Sequence, residues 1–117
     1  MPTIRELVRA LAERDGVEAA IVLGRDGLLI DGITTGALDA ERLSALVPPI
    51  VSAAEELSRD ASRGDLTSAV LEYDRGFALI CALNAEASLV VLVHPSASVG
   101  PLLFDIRKHR GSIASIV

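Results

Sequence analysis

Residues 66–94 read LTSAVLEYDRGFALICALNAEASLVVLVH and contain three short runs that are rich in strand-forming residues. Two turns, DRG at 74–76 and NAE at 84–86, divide the segment into residues 66–73, 77–83 and 87–94. Turns of this length and composition are typical of antiparallel hairpins. The segment therefore predicts three consecutive antiparallel strands, against which the other elements would pack.

The last two predicted strands are apolar on both faces. Residues 77–83, FALICAL, are all apolar, and residues 87–93, ASLVVLV, contain only one polar side chain. Since successive side chains of a strand point to opposite faces, two apolar faces require a covering layer on each side. Residues 66–73 instead mix polar and apolar side chains on both faces, which favours an edge strand.

One helix and one hairpin are predicted at the N-terminal end. Thr3 and Glu6 have the spacing of a capping box, so a helix should begin here and end at Asp15-Gly16. Residues 17–23 and 28–31 then read as two strands joined by a glycine-bounded turn. The second strand would end at Gly32, and a loop at residues 33–36 would lead to the next helix.

A long helix should begin after Asp39, a predicted N-cap, and end near Ser62. Apolar residues recur along it with a 3.6-residue period. Pro48 and Pro49 interrupt it, and an interior proline costs about 3 kcal/mol because it removes a backbone hydrogen bond and clashes with the preceding turn. We therefore expect a kink or two helical segments whose apolar sides still face the same surface.

A last helix is predicted after the three strands, N-capped by Ser96 or Ser98 and weakened in its middle by Gly111. The element order is thus α-β-β-α-β-β-β-α. It predicts an α+β (α/β) three-layer sandwich, in which a five-stranded, mainly antiparallel sheet has helices on both faces. A chain of 117 residues fits a single domain, residues 1–117.

The composition argues against several functional classes. Eleven Lys and Arg against sixteen Asp and Glu give a net charge of -5, and no basic stripe is present, so we expect no nucleic-acid partner. The apolar runs are far shorter than the roughly 20 residues of a membrane span. The charged N-terminus and the single Cys81 favour a cytoplasmic protein. Hydrophobic residues make up 50% of the chain, which favours oligomerisation.

No pattern predicts a catalytic residue, a metal site or a cofactor. The Gly24–Gly27 segment (GRDG) lacks the Lys and Ser/Thr of a phosphate-binding loop and precedes a strand, so we interpret it as a hairpin turn. Cys81 lies among apolar residues without a nearby activating group, as a small buried hydrophobe would. His94 and His109 have no Cys, Asp or Glu at metal-ligand spacing.

Three segments carry a resemblance to a known family. They are the hairpin DGVEAAIVLGRDGLLID at 15–31, the helix end EELSRDASRGD at 55–65, and the small residues at 96–103 before a charged helix. With the element order, they make the whole chain resemble the Roadblock family, which includes Roadblock-type dynein light chains and MglB-type regulators of small GTPases. The resemblance implies a Roadblock/profilin-like fold; Pro48-Pro49 departs from the family's uninterrupted helix.

The resemblance implies a dimer in which the strand at 66–73 pairs with its counterpart across a twofold axis, while the long helices pack side by side. The residues agree, because an edge strand without Pro and with charge only near its ends presents unpaired backbone groups to a partner. The expected interface comprises Leu66, Ser68, Val70 and Glu72 on the strand and Val47, Val51 and Ala54 on the helix.

The resemblance further implies that the long-helix surface docks a Ras-like small GTPase, although a solvated helix face is the alternative reading of its charges. The candidate partner-binding residues are Arg42, Glu55, Glu56 and Arg59. MglB-type regulators reposition the GTPase's own catalytic groups, so no arginine finger is assigned. We expect a homodimeric adaptor, not an enzyme, with allosteric stimulation of GTP hydrolysis. A small-molecule-sensing profilin/PAS-like domain and a purely structural dimerisation subunit remain alternatives.

Overall fold

The computed structural model describes residues 3–116. Within that range the elements are α1 (Ile4–Ala12), β1 (Val17–Gly24), β2 (Leu29–Thr34), α2 (Ala40–Ala61), β3 (Ser68–Tyr73), β4 (Gly76–Ala82), β5 (Ala87–Val93), α3 (Val99–Lys108) and α4 (Arg110–Ala114). The strands form one antiparallel sheet in the order β2-β1-β5-β4-β3. No helix in residues 3–116 has the length and apolarity needed to cross a membrane.

The sheet lies between two helical layers, which confirms the predicted fold class. On one face, Val8 and Leu11 of α1 and Leu102 and Ile106 of α3 pack against buried side chains of β1, β4 and β5. On the other face, Val47 of α2 packs against a second buried cluster from the same three strands. The central strands are therefore buried on both faces, as their continuous apolar sequences predict.

Helix α2 is one continuous helix, so of the two expected outcomes, a kink or two segments, the division into two segments is wrong. Asp39 Oδ1 caps its start by accepting from the Glu41 and Arg42 N–H groups at 3.1 and 3.3 Å. Ser62 ends it in the left-handed region, with φ at 55°. Residues on both sides of the prolines, Val47 and Val51, pack on the same cluster, and this packing holds the helix together despite the missing backbone hydrogen bonds.

The predicted first hairpin is confirmed, but its second strand is longer than expected. Thr34 pairs with Ala19 and Ile33 with Ala20, so the residues expected to begin a loop belong to β2. Gly32 lies inside β2 instead of ending it, and it allows close packing, since an added Cβ would lie 3.3 Å from Ile21 and 3.4 Å from Ala40. The expected boundary was therefore wrong by three residues.

Two helix ends also differ from expectation. Helix α1 ends at Ala12, before the expected stop at Asp15-Gly16. Gly16 does adopt the predicted left-handed conformation, with φ at 84°, and its carbonyl accepts from the His94 N–H at 2.7 Å. The expected single last helix is divided into α3 and α4 at His109, whose φ of -101° and ψ of 9° are not helical. This break directs Ile113 of α4 back into the core.

Candidate functional site

Strand β3 forms one edge of the sheet, as its sequence predicts. The Ala82 N–H donates to the Thr67 carbonyl at 3.0 Å, so the backbone of Thr67 points toward β4. Because backbone direction alternates along a strand, Ser68, Val70 and Glu72 direct their N–H and C=O groups to the open side. These three residues belong to the interface expected from the sequence, whereas Leu66 lies before the strand begins.

The opposite edge, β2, is protected from pairing. The ladder to β1 shifts register between Val22 and Leu23, which leaves Ile30 as an extra residue in a bulge. Asp31 adds a charge at this edge and forms an ion pair with Arg5 of α1 at 2.9 Å. Bulges and charges are devices that block edge-to-edge pairing. Strand β3 pairs with β4 without a register shift over its six residues, so it is the edge suited to a partner.

The side chains of β3 divide between the two faces of the sheet. Ala69 and Leu71 pack toward the α2 side. Val70 pairs with Leu79, a residue of the core on the α1 and α3 side, so Ser68, Val70 and Glu72 face that side. The strand and helix residues of the expected interface therefore lie on opposite faces of the sheet.

Helix α2 leaves part of its own face of the sheet uncovered. It packs over β1 and β2, at the edge away from β3. A groove of about 350 Å³ runs between α2 and β3, lined by Leu46 and Ile50 of the helix and Leu71 and Tyr73 of the strand. Its floor is apolar, formed by side chains such as Ile80 and Val90. A second apolar element could fill this groove.

Leu46 and Ile50 of the groove also begin an apolar stripe that continues along α2 beyond the groove. Leu46 is 57% exposed and Leu57 is 71% exposed, and the spacing of Leu46, Ile50, Ala53 and Leu57 places them on one side of the helix. We call these four residues the α2 stripe. Val47, by contrast, is only 5% exposed within its own protomer, while Val51 and Ala54 are half-buried. Sequence periodicity merged both sets into one apolar face, because it cannot say how much of that face the sheet covers.

The four candidate partner-binding residues do not form one cluster. Glu55 is half-buried, and its two carboxylate oxygens both accept from Arg25 Nη2, at 2.8 and 3.0 Å. Arg59 lies one turn further on the same side. Arg42 and Glu56 are exposed and point outward within about 40° of each other, roughly 21 Å apart along the axis. Arg25, in the β1–β2 turn, was not among the residues expected.

The Gly24–Gly27 segment, Cys81 and His94 were weighed as possible chemical sites, and their contacts are those of a turn, a buried core residue and a strand end. The Gly24–Gly27 segment is a hairpin turn, as predicted, in which the Leu28 N–H donates to Asp26 Oδ1 at 3.0 Å. Cys81 is buried, and burial raises the pKa of its thiol to about 11 despite the nearby positive charges of Arg107 and Arg110. His94 Nδ1 accepts from the Ser96 N–H at 3.1 Å, just after β5. A protonated, buried thiol is unsuited to nucleophilic attack.

An apolar groove on the other face lies between α1 and the two last helices. Its volume is about 620 Å³, and its lining residues include Leu7, Leu11, Ile113 and Ile116. Arg14 bridges it by donating to Asp105 Oδ2 at 2.8 Å, and this hydrogen bond lowers the pKa of the Asp105 carboxyl group. No sequence signal indicated this groove, because its walls come from both ends of the chain.

The chain matches a known family over most of its length. The Roadblock/LC7 domain family matches residues 3–93, and the chain belongs to this family. The resemblance seen in the sequence is thereby confirmed. Two uncharacterized proteins of Methanocaldococcus jannaschii are 26% and 27% identical to this chain, covering 97% and 90% of it and 98% and 91% of their own lengths.

Solved structures share the fold. The Roadblock/LC7 domain from Streptomyces avermitilis has a TM-score of 0.85 at 21% identity, with 97% of both chains covered. The gliding protein MglB from Thermus thermophilus has a TM-score of 0.82 at 16% identity, covering 96% of this chain and 86% of its own.

Proposed function

We propose that this chain, acting as a single domain over residues 1–117, is a cytoplasmic homodimeric adaptor that binds a Ras-like small GTPase. The observation that carries the proposal is the unprotected β3 edge beside an apolar groove and the exposed α2 stripe. A twofold axis through β3 would join two sheets into one and bring the two α2 helices together over it. The α2 stripe of each subunit would then enter the groove of the other.

The likeness to MglB supports a regulator of small GTPases, since MglB-type regulators are among the members that the sequence resembles. In such a dimer, the outward side of α2 stays exposed on both subunits. Arg42, Glu56 and Arg59 lie on that outward side or at its margin. Glu55 contributes less, because Arg25 already holds its carboxylate at 2.8 Å. We therefore assign GTPase docking mainly to the three exposed residues.

The docking surface is tested by exchanging two charges. Ras-like GTPases from the same genome would be loaded with a non-hydrolysable GTP analogue or with GDP and titrated with the protein. The double variant Arg42→Glu, Glu56→Arg keeps the net charge and should weaken binding at least about tenfold, because it sets like charges against the partner. The matched control is Arg9→Glu, Glu13→Arg, which exchanges exposed charges on α1 and at its C-cap, on the other face.

If both double variants bind the GTPase with equal affinity, docking on α2 is disproved. If the protein is dimeric but binds no Ras-like GTPase in either nucleotide state, it is the structural dimerisation subunit considered above. Stimulation of hydrolysis is tested separately with Arg42→Ala and Arg59→Ala. At saturating concentration both should keep the wild-type maximal rate, whereas loss of an arginine finger would lower it by about 10³-fold or more.

The small-molecule-sensing alternative is favoured by one observation, the groove between α1, α3 and α4. Its volume of about 620 Å³ is within the usual range for ligand sites, although the chain contains only 3% aromatic residues to line it. Native mass spectrometry of the purified protein would detect a retained ligand. Ala10→Trp, which fills the groove, should abolish that signal; a signal that survives would place the ligand elsewhere.

A further inference from the structure

A side chain of α3 reaches the first residue of the β3 edge. Arg107 Nη2 donates to Ser68 Oγ at 3.2 Å, on the face of the sheet that Ser68, Val70 and Glu72 share. Among residues 3–116, the ion pairs join Arg5 to Asp31, Arg14 to Asp105 and Arg25 to Glu55. Within the described protomer, neither Arg107 nor Glu72 therefore takes part in an ion pair.

The register of a β3–β3 pair is restricted by the alternation of side chains and backbone groups. A twofold axis perpendicular to the sheet places the same face of both subunits on the same side of the joined sheet. Residues directly opposite each other in an antiparallel pair also point their side chains to the same face. Opposite residues must then both be even-numbered or both be odd-numbered. The hydrogen-bonded pairs are formed by the residues whose backbones face outward, Ser68, Val70 and Glu72.

Only one register pairs these three residues with one another, and it is the register in which the twofold axis passes beside Val70. It sets Val70 opposite its own copy and Ser68 opposite Glu72 of the partner subunit. Centring on Leu71 would instead place Val70 opposite the partner's Glu72 and require Asp74, which lies in the turn after β3. Centring on Ala69 would require Leu66, which precedes the strand. The register centred on Val70 matches apolar with apolar and uses the whole outward edge.

In this register, we infer that Arg107 forms an ion pair with Glu72 of the partner subunit, and by symmetry Glu72 with the partner's Arg107. Directly opposite residues have Cβ atoms about 4.5–5.5 Å apart, so a Glu side chain opposite Ser68 reaches the guanidinium that already contacts Ser68. The pair fixes the register and selects a second copy of this chain over a chain that lacks the carboxylate. This inference rests on the homodimer proposed above.

Charge reversal tests the pair by repulsion and by rescue. Arg107→Glu places two carboxylates together at both symmetric sites, and Glu72→Arg places two guanidinium groups there. Each variant alone should have a dimer dissociation constant raised at least about tenfold, measured by analytical ultracentrifugation. Mixing the two variants should restore wild-type affinity, because a mixed dimer contains two attractive Glu–Arg pairs.

Lys108→Glu and Glu86→Arg are the matched controls, since both residues are exposed and lie outside β3. Alone or mixed, these two variants should dimerise as the wild type does. If they reproduce the loss and rescue, net charge is responsible and the Arg107–Glu72 pair is overturned.

Disulfide formation tests the register independently of charge. Val70→Cys should crosslink to its own copy under mild oxidation, because hydrogen-bonded opposite residues are about 5.5 Å apart at Cα, within disulfide range. Ala69→Cys and Leu71→Cys report the two neighbouring registers and should crosslink much more slowly. The native Cys81 can stay in place, because it is buried.

The outcomes separate this inference from the homodimer itself. Rescue by mixing together with preferential crosslinking at Val70→Cys supports the pair. A dimer that crosslinks best at Leu71→Cys or Ala69→Cys, or that tolerates both single charge reversals, overturns the pair while the homodimer stands. A wild-type protein that is monomeric at about 100 μM, and unchanged by Val70→Pro, overturns the homodimer and the pair with it.

Discussion

Gly76 begins β4 with a φ of 141°, a conformation that side-chain-bearing residues rarely adopt. A Cβ at this position would also overlap the Val93 carbonyl oxygen of β5. Gly76→Ala should therefore lower the free energy of unfolding by about 2 kcal/mol or more in urea titrations. Gly100→Ala, in α3 with open space around it, is the matched control and should stay within about 1 kcal/mol of the wild type. Equal effects would mean that backbone strain does not decide the residue at position 76.

Cys81 should make stability depend on alkaline pH. Burial raises the pKa of its thiol from the ordinary value of 9.0 to about 11, so above pH 9 the unfolded chain loses this proton more readily than the folded one. The contribution of the protonated Cys81 thiol to the free energy of unfolding is therefore fully present below pH 9 and is lost as the pH rises toward 11. Between pH 8 and 10.5 the wild type should lose about 2 kcal/mol more than Cys81→Ala. Parallel pH profiles of the two proteins would contradict this prediction.

Among the elements, the strand ends at the hairpin turns and both ends of α2 were predicted to within one residue, whereas the ends of α1, β2 and the last helix were not. Turn chemistry and continuous apolar runs are local properties, so the meander and the β3 edge could be read from the sequence. The end of α1 and the break at His109 depend on long-range contacts, such as the His94 N–H on the Gly16 carbonyl at 2.7 Å. The exposed α2 stripe was missed for the same reason, because its exposure depends on where the helix crosses the sheet.

The α2 stripe can be tested through its two most exposed leucines. Leu46→Asp and Leu57→Asp should leave the folded protomer intact, since both side chains are more than half exposed, but should raise the dimer dissociation constant at least about tenfold. Leu28→Asp is the matched control: Leu28 is 69% exposed and lies next to the β1–β2 turn, away from β3. Sedimentation of the three variants at equal concentration is the measurement. If Leu28→Asp weakens the dimer as much as the others, α2 is not part of the interface.

Considered as a whole molecule, the proposed homodimer couples folding to association. If the dimer unfolds in one step, raising the protein concentration a hundredfold adds about 2.7 kcal/mol to its stability. For a dimer of two 117-residue chains, that corresponds to a rise in Tm of about 5 °C.

Differential scanning calorimetry from about 2 to 200 μM would measure this shift. Val70→Pro should abolish it, because the proline removes an N–H that points to the open side of β3 and leaves the bonds to β4 in place. Val70→Ala, which keeps the N–H, is the control and should retain most of the shift. A wild-type Tm that does not change with concentration would mean that the open β3 edge is not paired with a second copy over this range.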